Sequence, residues 1–242
     1  MRNENLLIVG ASSTLGIGYI RAYATEYSKI IAHCNTNATQ LREIAREGNF
    51  NIDIIESDLS SNEGAALLVE FIEASRLQID TIAFFAAPRL QLKRFHKLEW
   101  EEFLLHLNVQ AKASFIVLKY LLPKMAMHKR GKVVFVLSSV LDGKPPQGVS
   151  DYMLGKYAML ALMKSAAAEY ASKSICINAV SPSMMETKFV DGIPGSLVEI
   201  NAEAHPRGAN AKPNEIIPIV RFLLSKDSAF ITGQNIIATG GA

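Results

Sequence analysis

Residues 6–18 read LLIVGASSTLGIG. Four apolar residues run straight into a turn that carries Gly10, Gly16 and Gly18. A short strand that is apolar on both faces, a glycine-rich turn and a helix start together form the opening of a dinucleotide cradle. Gly10 is expected to permit the tight turn. Gly16 should let backbone approach a pyrophosphate at the helix N-terminus, and Gly18 should allow close helix packing. Ser12 and Ser13 add hydroxyl donors, and Leu15 and Ile17 complete the expected contacts of this turn. The spacing is not the common G-x-G-x-x-G, so the position directly after the first strand adds much of the weight.

Further strand-like runs follow at 30–33, 52–55, 81–85, 133–137, 175–180 and 235–238. Most are short and apolar throughout, as buried parallel strands are. Helix-length amphipathic stretches lie between them, including 61–75, 100–128 and 150–172. This alternation predicts an α/β fold: a Rossmann-like, doubly wound, seven-stranded parallel sheet with helices on both faces. No repeat or linker interrupts the chain, so residues 1–242 are expected to form a single domain. Residues 183–213 differ, being rich in Met, Gly, Pro and Ala with weak periodicity, and are expected to form a lid over a ligand site.

Composition narrows the function classes. Of 242 residues, 49% are hydrophobic and 20% charged, which is ordinary for a globular protein. A net charge of +2 without a dense Lys/Arg block argues against nucleic acid as a partner. The basic residues within 124–132 are expected to mark a helix C-terminus. Cys34 and Cys176 are far apart and lack metal-ligand spacing, so no metal and no disulfide are expected. With no apolar run long enough to span a bilayer, and a start too short in apolar residues for a signal peptide, a cytoplasmic protein without membrane attachment is expected.

A second constellation lies in DYMLGKYAML, residues 151–160, where Tyr152 and Lys156 stand four apart. That spacing puts both on one helix face, where an ammonium is expected to lower the phenol pKa and make Tyr152 a proton donor at neutral pH. Ser139 lies thirteen residues before Tyr152, just past the run 133–137, and could hydrogen-bond the same carbonyl oxygen. Singly, each has a plainer reading: a packed tyrosine, a solvated lysine, a capping serine. Tyr157, next to Lys156, is expected to pack on another side of the helix.

Together these motifs make the chain resemble the short-chain dehydrogenase/reductase family over essentially its whole length, most closely the 3-oxoacyl-[acyl-carrier-protein] reductases. The resemblance implies that Asn108, Ser139, Tyr152 and Lys156 are the catalytic set, with Lys156 also binding the nicotinamide ribose and Asn108 holding a proton-relay water. It implies that Asp58 and Leu59 contact adenine. Pro182, Met185 and Thr187 would border the nicotinamide, and backbone at Ala86 and Ala87 would line the cofactor. The chain departs from the family where its usual Asn-Ala-Gly is replaced by Ala86-Ala87-Pro88, and where Pro-Gly becomes Pro182-Ser183.

Residues 33–37, His-Cys-Asn-Thr-Asn, offer no carboxylate for the adenosine ribose. That favours NADP over NAD, with NAD allowed, and Asn35 as a hydrogen-bond donor. The substrate is expected to be a small-molecule carbonyl or an acyl thioester, the latter borne on an acidic carrier protein that docks at Arg89, Lys93, Arg94 and Lys97. The family's assembly implies a homotetramer or homodimer built on the helices at 100–128 and 150–172. A non-catalytic nucleotide-binding regulator is the alternative, kept open by Ala86 and Ser183.

Overall fold

The computed structural model describes residues 4–242; residues 1–3 of the expected domain lie outside them. Seven strands form one sheet: β1 (Asn5–Val9), β2 (Lys29–Cys34), β3 (Ile52–Glu56), β4 (Thr81–Phe84), β5 (Gly131–Val136), β6 (Ile175–Pro182) and β7 (Asn235–Ala238). Their order is β3-β2-β1-β4-β5-β6-β7, and every pairing is parallel. The chain winds outward from β1 in one direction and from β4 in the other. The strand order therefore reverses between β1 and β4, where such sheets open a crevice at the carboxyl ends of the strands.

Among the described residues there are eight α-helices: α1 (Thr14–Tyr23), α2 (Ala38–Glu47), α3 (Asn62–Ala74), α4 (Trp100–His106), α5 (Ala113–His128), α6 (Ser150–Tyr170), α7 (Gly195–Ala204) and α8 (Pro213–Leu223). Alternation along β1 divides the core. Leu7 and Val9 pack with residues of α3, α5 and α6, while Leu6 and Ile8 pack with residues of α1, α2 and α8. Both layers bury β1 almost completely, which explains a strand without polar alternation.

Three departures from the sequence reading have physical causes. The helix expected over 100–128 is interrupted by a π-helical segment, Leu107–Lys112, in which the Ala113 N–H reaches the Asn108 carbonyl five residues back. Residues 183–213 are not uniformly irregular, because they contain α7. That helix has no fully buried residue, so it needs no apolar stripe and its periodicity is weak. The segment is anchored by a Met185–Ala211 bridge and by His205, whose Nε2–H donates to the Thr239 carbonyl at 2.7 Å. Finally, Tyr157 is not interior packing: it is half-exposed and its hydroxyl donates to the Leu141 carbonyl at 3.1 Å.

The departure at 85–88 leaves the sheet supported by other means. The N–H groups of Phe85 and Ala86 both donate to the Val9 carbonyl, at 2.8 and 3.0 Å. Phe84 stacks on Phe135 with centroids 4.8 Å apart. Backbone bonds and aromatic packing hold β4 in place.

Candidate active site

A cleft of about 1520 Å³ runs along the carboxyl ends of the strands. Its two ends are made of different material. At one end the chain turns out of β1 at Gly10, which has φ +86°. A Cβ there would lie 2.4 Å from the Ala86 nitrogen, so the close approach of the β1 and β4 turns requires glycine. Gly16 is needed for a similar reason, since its Cβ would meet the Ala11 backbone at 2.5 Å. The close approach it permits is thus within the protein itself. Gly18 faces the Ile217 side chain of α8, in keeping with helix packing.

Helix α1 begins at this turn. Ser13 caps it, its Oγ accepting from the Gly16 N–H at 3.1 Å and keeping its own proton free to donate. Ser12, Ser13 and Leu15 line the cleft, whereas Ile17 is buried in the core beneath α1. His33, at the end of β2, braces the turn from below. Its Nε2–H donates to the Ser57 carbonyl at 2.9 Å, leaving Nδ1 to accept from the Gly10 N–H at 3.3 Å. Burial holds the His33 pKa below its ordinary value, which suits this neutral bridging tautomer.

Beside it, Asn35, Asp58 and Leu59 line the same end. The Ser60 N–H and hydroxyl both donate to the Asp58 carboxylate, at 2.9 and 2.8 Å, and lower its pKa. Arg42 is exposed on α2. The donor set fits an anionic dinucleotide: a helix N-terminus without an acidic residue in its first turn, two serine hydroxyls, and amides rather than a carboxylate after β2. Ala86, Ala87, Pro182, Met185 and Thr187 also line the cleft.

The other end is built from buried side chains. Tyr152 and Lys156 project from α6 with only 6% and 4% exposure, and both line the cleft. Lys156 Nζ lies 5.7 Å from the Tyr152 ring centroid and donates to the Val136 carbonyl at 2.7 Å. Phe189 covers the phenol ring at 5.5 Å between centroids. Here the expectation of a lowered phenol pKa is reversed. Burial pushes Tyr152 up to about 12 and Lys156 down to about 7, because low polarity penalises phenolate and ammonium alike. Ser138 acts the other way and lowers the Tyr152 value.

Ser139 is the serine that the spacing selects, and its neighbour Ser138 is the one that bears on the proton affinity of the phenol. The Ser138 Oγ accepts from the Val140 N–H at 3.4 Å, capping a single turn over Ser139–Leu141. Ser139 lines the cleft and is half-buried. The Ser138-Ser139 doublet is visible in the sequence, and both serines line the cleft. Asn108 is half-buried in the π segment, between Leu105 and Val109, both of which line the cleft. π segments recur at functional sites because they redirect backbone carbonyls. Among the described residues no group of three or more His, Cys, Asp or Glu side chains could hold a metal ion. No helix of those residues is long and apolar enough to cross a membrane.

A family profile described as "Enoyl-(Acyl carrier protein) reductase" matches residues 10–242. The chain belongs to the short-chain dehydrogenase/reductase family, a family of oxidoreductases. The relatives of this short-chain dehydrogenase/reductase agree over full length. One is the 3-oxoacyl-[acyl-carrier-protein] reductase FabG of Rickettsia bellii, 27% identical, with 100% of this chain and 97% of that protein aligned. Another is the uncharacterised oxidoreductase YmfI of Bacillus subtilis, 28% identical over 99% and 98% of the two chains. The solved 3-oxoacyl-[acyl-carrier protein] reductase of Brucella melitensis shares the fold, with a TM-score of 0.89 at 24% identity over 99% of this chain and 91% of that one. A related enzyme from Agrobacterium tumefaciens was crystallised with NADP and superposes with a TM-score of 0.88, at 24% identity over 100% of this chain and 95% of that one.

Proposed function

We propose that this short-chain dehydrogenase/reductase is an NADP(H)-dependent carbonyl reductase in which Tyr152 supplies the proton. One observation carries the reading: the buried Tyr152–Lys156 pair and the glycine turn line one continuous cleft. The turn at Gly10, the α1 N-terminus, Ser12, Ser13, Asn35, Asp58 and Leu59 would hold the cofactor, which when bound supplies hydride to a carbonyl carbon. Gly16 and Ile17 shape the turn from behind. Ala86, Ala87, Pro182, Met185 and Thr187 would frame the nicotinamide part.

The remaining chemistry belongs to the chain. Tyr152, kept protonated by burial, donates its hydroxyl proton to the carbonyl oxygen. Ser139 and Ser138 hold the charge that develops on that oxygen. Lys156, released from the Val136 carbonyl, would bind the ribose and return a proton toward Tyr152. Asn108 would hold the water that resupplies it.

The absence of a carboxylate among Asn35, Thr36 and Asn37 supports NADP, with NAD also admitted. A 3-oxoacyl thioester is the substrate class supported by the FabG relative. A basic rim supports delivery on an acidic carrier protein: Arg89, Lys93 and Arg94 line the cleft mouth, although Lys93 already pairs with Glu102 at 2.6 Å. Lys97 would extend that rim. Exposed Leu104, Phe115 and Leu154 support a homotetramer or homodimer across α4, α5 and α6. Two free cysteines support a cytoplasmic setting.

The test is cofactor oxidation with NADPH and NADH against ketones and 3-oxoacyl thioesters. Turnover that is faster with NADPH supports the reading. Binding of either cofactor with no turnover on any substrate would instead support the regulator.

A further inference from the structure

Directly behind Tyr152 lies a polar cluster that the mechanism above does not use. His106, Gln110 and Asp151 are 3%, 1% and 6% exposed. Gln110 Nε2 is 3.0 Å from His106 Nδ1, so the amide donates and Nδ1 accepts. The ring proton is then on Nε2, which faces Asp151 Oδ2 at 3.5 Å. The imidazole stands edge-on to the Tyr152 ring, with centroids 6.0 Å apart and planes at 75°. Room for this cluster exists because position 155 is glycine: a Cβ there would meet Gln110 Nε2 at 2.8 Å and His106 Cβ at 3.1 Å.

Three elements thus bring their polar groups together. From α6 come Asp151, Tyr152 and Lys156, from the π segment Gln110, and from α4 His106 itself. Two acceptors in the cluster, Asp151 Oδ1 and Gln110 Oε1, have no protein partner. Buried acceptors left open are costly, so the arrangement is poised to accept another proton. If the imidazole took one at Nδ1, rotation of the Gln110 amide would present Oε1 to receive it, while Nε2–H kept facing the carboxylate. The same three side chains can therefore hold either protonation state.

We propose that His106 is a positioning residue for the proton-transfer pair, held between Gln110 and Asp151, whose protonation switches the charge behind Tyr152 and Lys156. The proposal rests on the reductase reading for its kinetic arm. While neutral, His106 supports the phenol ring by edge contact and leaves the Asp151 charge uncancelled. Once protonated, it cancels that charge and opposes an ammonium at Lys156. Burial and the Lys156 charge keep the His106 pKa below its ordinary 6.5, against the pull of Asp151, so the switch falls on the acid side of neutrality.

The test starts with the intact protein and no cofactor. Imidazole proton resonances of its five histidines are followed against pH. The His106→Gln spectrum assigns one of them, and the Asp151→Asn protein should move that titration to lower pH, because the carboxylate that favours the imidazolium is gone. In turnover, wild-type kcat should show an acid-side step at the His106 titration. Glutamine, which cannot take the proton, should abolish the step with little change in cofactor KM, since the cluster does not line the cleft.

An acid-side kcat step that is unchanged in His106→Gln overturns the proposal. So does a His106 resonance that titrates at its ordinary value and ignores Asp151→Asn. Should His106→Gln fail to fold, the wild-type and Asp151→Asn titrations alone give either answer. Absence of turnover in the wild-type protein at every pH would count against the reductase reading, while the cofactor-free titration would still decide the positioning role.

Discussion

The two ends of the cleft are made in opposite ways. At the glycine turn the site exists because side chains are missing: Gly10 lets the turns after β1 and β4 come within distances that no Cβ would allow, and Gly16 does the same for α1 against the Ala11 backbone. At the other end it exists because side chains are present and buried, with Tyr152 packed against His106 and Phe189 and Lys156 buried beside it. The first end is a matter of steric permission and donor geometry. The second is a matter of desolvation, which sets the proton affinities at a cost in stability.

The contrast can be broken most sharply at the phenol. Tyr152→Phe should lower kcat by roughly 10²- to 10⁴-fold, the usual range for a lost acid, while a fluorescence titration shows cofactor binding retained. Equal loss of binding and turnover would mean that the two ends are not separable.

Lys156 tests whether desolvation dominates. Its folded pKa, about 7, lies below the ordinary 10.5, so the folded chain disfavours the ammonium. Between those values the unfolded chain holds the extra proton, and stability should rise with pH. Above pH 10 the raised Tyr152 value works the other way, and stability falls as the unfolded phenol ionises first. Lys156→Met should remove the rise, on the order of 4 kcal/mol across the window, as read from urea unfolding at pH 7 and pH 10. A wild-type curve already flat in that range would refute the account.

At the glycine end, Gly10→Ala combines a positive φ with a 2.4 Å clash and should cost more than about 2 kcal/mol. Gly143→Ala shares the positive φ, +75°, but meets nothing within 4 Å, and should cost only about 1 kcal/mol by the same unfolding assay. Near-equal costs would show that the backbone approach at Gly10 is not tight.

The smallest effect concerns the serines. Ser138→Ala should raise the pH at which Tyr152 ionises, because the contribution that lowers it is lost, and cut kcat by about tenfold. If Ser139→Ala moves the phenol titration and Ser138→Ala does not, Ser139 is the serine that bears on the phenol.

Much of this molecule could be read from the chain. The apolar runs located all seven strands to within two residues at either end, since strands buried on both faces leave continuous apolar stretches. The glycine pattern located the turn, because φ +86° and a 2.4 Å approach leave few alternatives to glycine. The four-residue spacing put Tyr152 and Lys156 on one helix face, which is helical geometry alone. Less legible were α7, which buries no residue fully, and the π segment at 107–112, which depends on how α4 and α5 dock on α6.

The sequence by itself determined which residue types stand at which spacings, and hence the sheet, the turn and the helix that carries the phenol. Only the tertiary structure decided how those residues are charged and oriented. That burial outweighs the ammonium in setting the Tyr152 pKa, and that His106 lies against Asp151, both depend on contacts between distant segments. Spacing is local, whereas desolvation is the sum of everything packed around a group, and no short stretch of chain contains it.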